Sequence, residues 1–152
     1  MDAASSPMRG VKFVGSYTHQ LDDKGRVSLP ASYRREAADQ RFVLYPAFPP
    51  ALTLFPEFTW MEVERRLAEF QSKTSEGRMY VLSVMSNAVE VSLDAQGRIL
   101  IPARLKEIAQ LDGQVLLVGA IDRVELWNPP LFEAALKVPS TSFDQFTPQI
   151  FR

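Results

Sequence analysis

Apolar and polar positions alternate imperfectly from Phe13 to Leu21, with Tyr17 and Thr18 inside the run, and this predicts a strand. Asp22-Asp23-Lys24-Gly25 then reads as a turn: an aspartate accepts from its own backbone two residues on, and glycine permits positive φ. Residues 27–29 supply the return strand of a hairpin, and Pro30 ends it and opens a short helix over about 31–38. Two further strands are predicted at 42–47 and 52–55, on either side of Phe48-Pro49-Pro50-Ala51. A helix follows from about 56 to 71. Its Trp60, Val63, Leu67 and Phe70 share one face, with Glu62, Glu64, Arg65, Arg66 and Glu69 mostly opposite. Residues 73–77 form a polar joint, and 78–86 a second helix. Its Met79, Val81, Leu82, Val84 and Met85 are a packing surface for halves or subunits.

The pattern then starts again. LDDKGRVSLPA, Leu21 to Ala31, returns without a gap as LDAQGRILIPA, Leu93 to Ala103. The displacement persists beyond the string: Val43 and Leu44 fall on Val115 and Leu116, Leu54 on Leu126, Phe55 on Trp127, and Trp60 on Phe132. A register kept through two strands and into a helix argues for a doubled structural unit, each copy one half of a larger object. The second copy predicts strands at 88–93, 99–101, 115–119 and 124–127, and helices at 103–109 and 130–137. The resulting division is a flexible arm (1–12), a first unit (16–57), a helical connector (58–87), a second unit (88–131), and a helix end with a mobile tail (132–152).

Composition narrows the class. Apolar residues make up 46% of the 152, enough for a real core, and no run of about 18 apolar residues exists to span a bilayer. The opening MDAASSPMRG lacks the apolar centre of a signal peptide, so the expected compartment is the cytoplasm. There is no cysteine, which removes disulfides and thiolate metal sites. With a formal net charge of −1, any binding of a polyanion has to be local.

The local candidates are the two turns. Turn chemistry alone explains an aspartate and a glycine, and Arg26 or Arg98 can simply pair with Asp22 or Asp94. A turn does not, however, require an arginine at its exit followed by the same strand, proline and helix, twice over. Equivalent placement of Arg26 and Arg98 gives a pair of cationic tips able to face one periodic ligand, and DNA is such a ligand. Lys24, Arg26 and Arg98 can meet phosphates, and a guanidinium in the major groove can pair in bidentate fashion with guanine. Asp22, Gly25, Asp94 and Gly97 are then the residues that shape the turns. Tyr33, Arg34 and Arg35, answered by Leu105, Lys106 and Glu107, are read mainly as a solvated helix face with Tyr33 half-buried. Trp60, Phe58 and Phe132 are read as core or subunit contacts.

Together, LDDKGRVSLPA, LDAQGRILIPA, Phe13 and Gly15, Phe55-Pro56 and LLVGAIDRVELWNP (Leu116 to Pro129) resemble the MraZ proteins, which carry two SpoVT/AbrB-type DNA-binding units in one chain. The likeness covers about 13–137. It implies an α+β fold in which tandem SpoVT/AbrB-like units form an intramolecular swapped-hairpin β-barrel with flanking helices. It also implies a bacterial transcriptional regulator, associated with the nucleoid and assembled as a homo-oligomeric ring. Its ligand would be double-stranded DNA with tandem direct repeats, in the promoter of the division and cell-wall gene cluster that includes its own gene. Carried over by position, Asp22 and Arg26 fill the first signature and Asp94 and Arg98 the second. Lys24 is the basic residue of the first turn, and Gln96 stands at its place in the second, a less cationic tip. Val14 departs from the arginine frequent in relatives.

Two other classes compete. An enzyme has little to work with: His19 is the only histidine, and no nucleophile elbow, P-loop or dinucleotide cradle occurs, so neither catalysis, metal, cofactor nor small-molecule substrate is expected. An antitoxin-like or protein-interaction module built on the same barrel has one candidate ligand segment, the tail with Phe143, Phe146, Ile150 and Phe151.

Overall fold

A computed structural model describes residues 11–38, 41–137 and 140–152, apart from the side chains of 140–142. The arm expected at 1–12 lies almost wholly outside them. Among the described residues eight strands and six helices follow one another as β1 (Ser16–Gln20), β2 (Arg26–Ser28), α1 (Ala31–Glu36), β3 (Phe42–Tyr45), β4 (Leu52–Pro56), α2 (Glu57–Gln71), α3 (Ser75–Asn87), β5 (Val89–Val91), β6 (Arg98–Leu100), α4 (Ala103–Ile108), β7 (Gln114–Gly119), β8 (Val124–Trp127), α5 (Pro129–Lys137) and α6 (Ser140–Ile150).

Strand exchange between the two copies organises the fold. β1 and β2 do not form the local hairpin expected across Asp22–Gly25. Instead β1 pairs antiparallel with β7, β5 with β3, and β2 with β6. Every one of these ladders joins one copy to the other. In the β2–β6 ribbon Val27 faces Ile99, and in the β4–β8 ladder Thr53 faces Glu125. In each case a residue meets its own counterpart, which places a pseudo-two-fold axis through both pairs. Bonds beyond the ladder extend the exchange: Leu29 N donates to Gly97 O (2.9 Å) and Ile101 N to Gly25 O (2.8 Å).

Closure is where the fold departs from expectation. Six strands form one sheet in the order β1-β7-β8-β4-β3-β5, and β2 and β6 stand apart as a two-stranded ribbon. The sheet is open, with β1 and β5 at its edges. Each edge strand runs out into a turn, at Asp22 and at Asp94, and from there into one strand of the ribbon. Val27, Leu29, Ile99 and Ile101 from the ribbon region are almost fully buried in one cluster with Leu44, Leu52, Leu54, Leu117 and Leu126 of the sheet. Tyr33 joins this core at 1% exposure, correcting the half-buried reading; its ring meets Phe13 and Tyr17 edge-on, and its hydroxyl donates to Gly15 O (2.6 Å).

A second cluster lies on the other face of the sheet, where Val43, Phe55, Trp60 and Val84 pack beneath α2 and α3. Burying each such side chain contributes roughly 1.5–3 kcal/mol. The repeat is visible in the aromatic pairs: Phe55–Trp60 and Trp127–Phe132 both have ring centroids 5.2 Å apart, with the residue types exchanged. Part of the expected joint at 73–77 is helical, because Thr74 caps α3 by accepting from Gly77 N (2.8 Å). Residues 140–150, expected within a mobile tail, form α6, on which Phe143, Phe146 and Ile150 recur at helical spacing and stay exposed.

Candidate nucleic-acid interface

Each turn is built around one carboxylate. In the first, Asp22 Oδ1 accepts from Lys24 N (3.0 Å) and Arg26 N (2.8 Å), while Oδ2 accepts from Arg26 Nε (2.8 Å). The second repeats the arrangement: Asp94 Oδ1 accepts from Gln96 N and Arg98 N, both at 2.9 Å, and Oδ2 from Arg98 Nε at 2.9 Å. The backbone closes both loops, Gly25 N donating to Asp22 O and Gly97 N to Asp94 O at 3.0 Å each. Gly25 and Gly97 hold φ of +83° and +77°, a region that carries a steric cost for any side chain.

These bonds hold both carboxyls below their ordinary range. For Asp22 the main cause is the Arg26 backbone amide, and for Asp94 the Arg98 backbone amide; desolvation opposes both. Both are therefore carboxylates at neutral pH, and both turns keep their acceptors.

The arginines are aimed as well as paired. Asp22 and Asp94 occupy Nε, so that among the described residues the terminal nitrogens of Arg26 and Nη2 of Arg98 are left for other partners, and the two side chains are 31% and 26% exposed. Arg98 Nη1 also lies 3.8 Å from Asp22 Oδ2, so the turns meet across the axis. Lys24 and Gln96 are exposed at the tips. Thus Asp22, Lys24, Gly25, Arg26, Asp94, Gln96, Gly97 and Arg98 all stand at the two ends of one ribbon. Tyr33 is withdrawn into the core and cannot face a ligand.

Arg34, read from the sequence mainly as part of a solvated helix face, reaches the second turn instead. Its guanidinium donates to Leu29 O (2.7 Å) and lies against Gly97, where a Cβ would stand 2.8 Å from Nη1. The repeat carried a signal for it, since Arg34 and Lys106 are equivalent cations. His19 is a strand residue, its Nδ1 2.8 Å from Ser28 O. Among the described residues no cluster of three His, Cys, Asp or Glu could hold a metal ion, and no helix is long and apolar enough to cross a membrane.

An open α+β sheet shared by two copies, with an exchanged ribbon carrying twin Asp–Gly–Arg turns, defines a class of two-unit proteins that present paired cationic tips. Comparison with known families gives the particular one. The family described as "MraZ protein, putative antitoxin-like" matches residues 13–82 and 84–149, and the chain belongs to it. A protein named Transcriptional regulator MraZ from Moorella thermoacetica is 36% identical over 132 residues, covering 87% of this chain and 92% of its own length. Proteins of the same name from Desulfitobacterium hafniense and Azotobacter vinelandii are each 41% identical over 120 residues, covering 79% and 76% of this chain and 83% and 79% of their own lengths.

Proposed function

We propose that this protein is a sequence-specific DNA-binding transcriptional regulator whose two turns contact one duplex. The observation that carries the reading is the pair of identically built turns at the ends of one exchanged ribbon, each fixing an arginine through Nε. Fixed in this way, Arg26 offers two terminal nitrogens, the geometry that meets guanine O6 and N7 in the major groove, and Arg98 does the same once its Nη1 leaves the 3.8 Å pair with Asp22. Lys24 adds a phosphate contact, and Gln96 a neutral hydrogen-bonding tip. Relatives named as transcriptional regulators support the same reading.

The finer proposal is that the ligand is a set of tandem direct repeats in the promoter of the division and cell-wall cluster containing the protein's own gene. One subunit makes only about two to four phosphate contacts and, at a salt slope of about −0.9 per contact, binds weakly. A homo-oligomeric ring meeting successive repeats raises apparent affinity by roughly 10²- to 10⁴-fold. The exposed Met79, Tyr80, Leu82 and Met85 on α3 and Met61 and Phe70 on α2 supply apolar surface for such an assembly. The working site is the cytoplasm, at the nucleoid.

The test is a gel shift with a sizing column. Arg26→Ala abolishes the specific shift while folding and oligomer size stay unchanged; a collapsed oligomer assigns Arg26 to structure instead. A second reading, an antitoxin-like or protein-interaction module, is favoured by the exposed Phe143, Phe146 and Ile150 on α6. It predicts no salt-sensitive, sequence-preferring DNA binding by the full chain.

A further inference from the structure

We infer that Arg34 is the strut of the second turn, so that a helix of the first half sets the geometry with which the second half presents Arg98. The inference rests on the DNA-binding reading for its functional consequence, though not for its structural one.

The second turn is the less cationic of the two by sequence, with Gln96 where the first has Lys24. It receives a brace from outside its own copy. Arg34 Nη1 donates to Leu29 O at 2.7 Å, and Leu29 N donates to Gly97 O at 2.9 Å. One residue, Leu29, is thereby tied through its carbonyl to the guanidinium and through its amide to the turn glycine. The guanidinium also fills the place where a side chain at 97 would stand, with Nη1, Cδ and Cζ at 2.8, 2.9 and 3.1 Å from that position. Gly97 is favoured there by its φ of +77°, and a side chain at 97 would displace the arginine lying against it.

The first turn is braced differently. Beside Gly25 the nearest atom to a Cβ is the backbone oxygen of Ile101 at 3.1 Å, and the Nζ of Lys106, the counterpart of Arg34, lies 3.9 Å away. Among the described residues the Lys106 ammonium makes no hydrogen bond to the Ile101 carbonyl that would correspond to the Arg34–Leu29 bond. An ammonium is a point donor, whereas a planar guanidinium can donate to a carbonyl and cover a glycine at once. The pseudo-symmetric ribbon is therefore asymmetric in what holds its ends. Arg34 acts through Gly97 and the neighbouring Arg98 and is a positioning residue, distinct from a group that touches the duplex.

Two readouts on the full chain test this. In the DNA-free protein, amide hydrogen exchange is measured at Gly97 and Arg98, whose N–H groups are held by Asp94, and at Gly25 and Arg26 as internal controls. Arg34→Ala and Arg34→Lys should both accelerate exchange at 97 and 98 and leave 25 and 26 unchanged, whereas Lys106→Ala leaves all four unchanged. In anisotropy titrations against a duplex carrying direct repeats, both Arg34 variants should weaken binding roughly 5- to 150-fold, the scale for losing one aimed arginine, with the salt slope unaltered. Three results would overturn the inference: unchanged exchange at 97 and 98, equal loosening of the first turn in Lys106→Ala, or a slope shallower by about 0.9 that Arg34→Lys restores, the sign of a direct phosphate contact. If the unmodified protein binds no duplex, the DNA reading fails alone, and the exchange measurement still decides the role of Arg34.

Discussion

Truncating Ile99 to alanine probes the exchanged ribbon at its axis. Ile99 is fully buried and faces Val27, also fully buried, across the β2–β6 ladder. The substitution removes three carbons; at about 0.8 kcal/mol per buried carbon the transfer loss alone is about 2.4 kcal/mol. A cavity beneath a ribbon held from both sides raises the total to about 3–4 kcal/mol. For a chain of this length that lowers Tm by about 6–16 °C. Urea and thermal unfolding followed by circular dichroism measure it. The sharper form is a double-mutant cycle with Val27→Ala. Residues that touch across a ribbon share one cavity, so the two losses should fail to add, with a coupling of about 0.5–3 kcal/mol. Additive losses would refute the exchange, because Val27 and Ile99 would then lie in separate local hairpins, each packed within its own copy.

Other expectations follow from the same contacts. The Thr53 hydroxyl is buried without a partner among the described residues, so Thr53→Val should stabilise the fold by about 1 kcal/mol, read as a rise in the urea midpoint. Tyr33→Phe removes a buried 2.6 Å hydrogen bond to Gly15 O, but that carbonyl keeps Gly119 N at 2.8 Å, so the cost should be about 0.5–1.5 kcal/mol with turn geometry preserved. Because Asp22 and Asp94 titrate below their ordinary value when folded, their contribution is present above the unfolded value near 3.9 and is lost as pH falls through the lower folded value. The Gly25 and Gly97 amide resonances should hold steady from neutral pH to about 4 and move only below it; movement near pH 6 would contradict the assignment.

Much of this molecule is legible in its sequence, and the unread parts have physical causes. Turns at 22–25 and 94–97 and the helix through Trp60 follow from local chemistry and spacing, because the deciding contacts are within a few residues. Strand partners are not local. Arg26 through Ser28 has the same pattern whether it pairs with β1 or with β6, and only the burial of Val27 against Ile99 selects the second. Tyr33 reads as half-buried beside two arginines, yet its ring fits between Phe13 and Tyr17 and its hydroxyl finds a carbonyl. Thr74 carried a capping signal inside a stretch read as a joint. The role of Arg34 was hidden for the same reason as the strand exchange: the glycine it covers belongs to the other copy.

The central claim is that the two ribbon ends meet duplex DNA. Its most direct test is chemical-shift mapping of the full chain as a duplex carrying tandem direct repeats is added. The account predicts that the largest changes fall on Lys24 to Arg26 and Gln96 to Arg98 together, and that they shrink as salt is raised. Changes confined to α2, α3 or α6, with both turns unmoved, would contradict it.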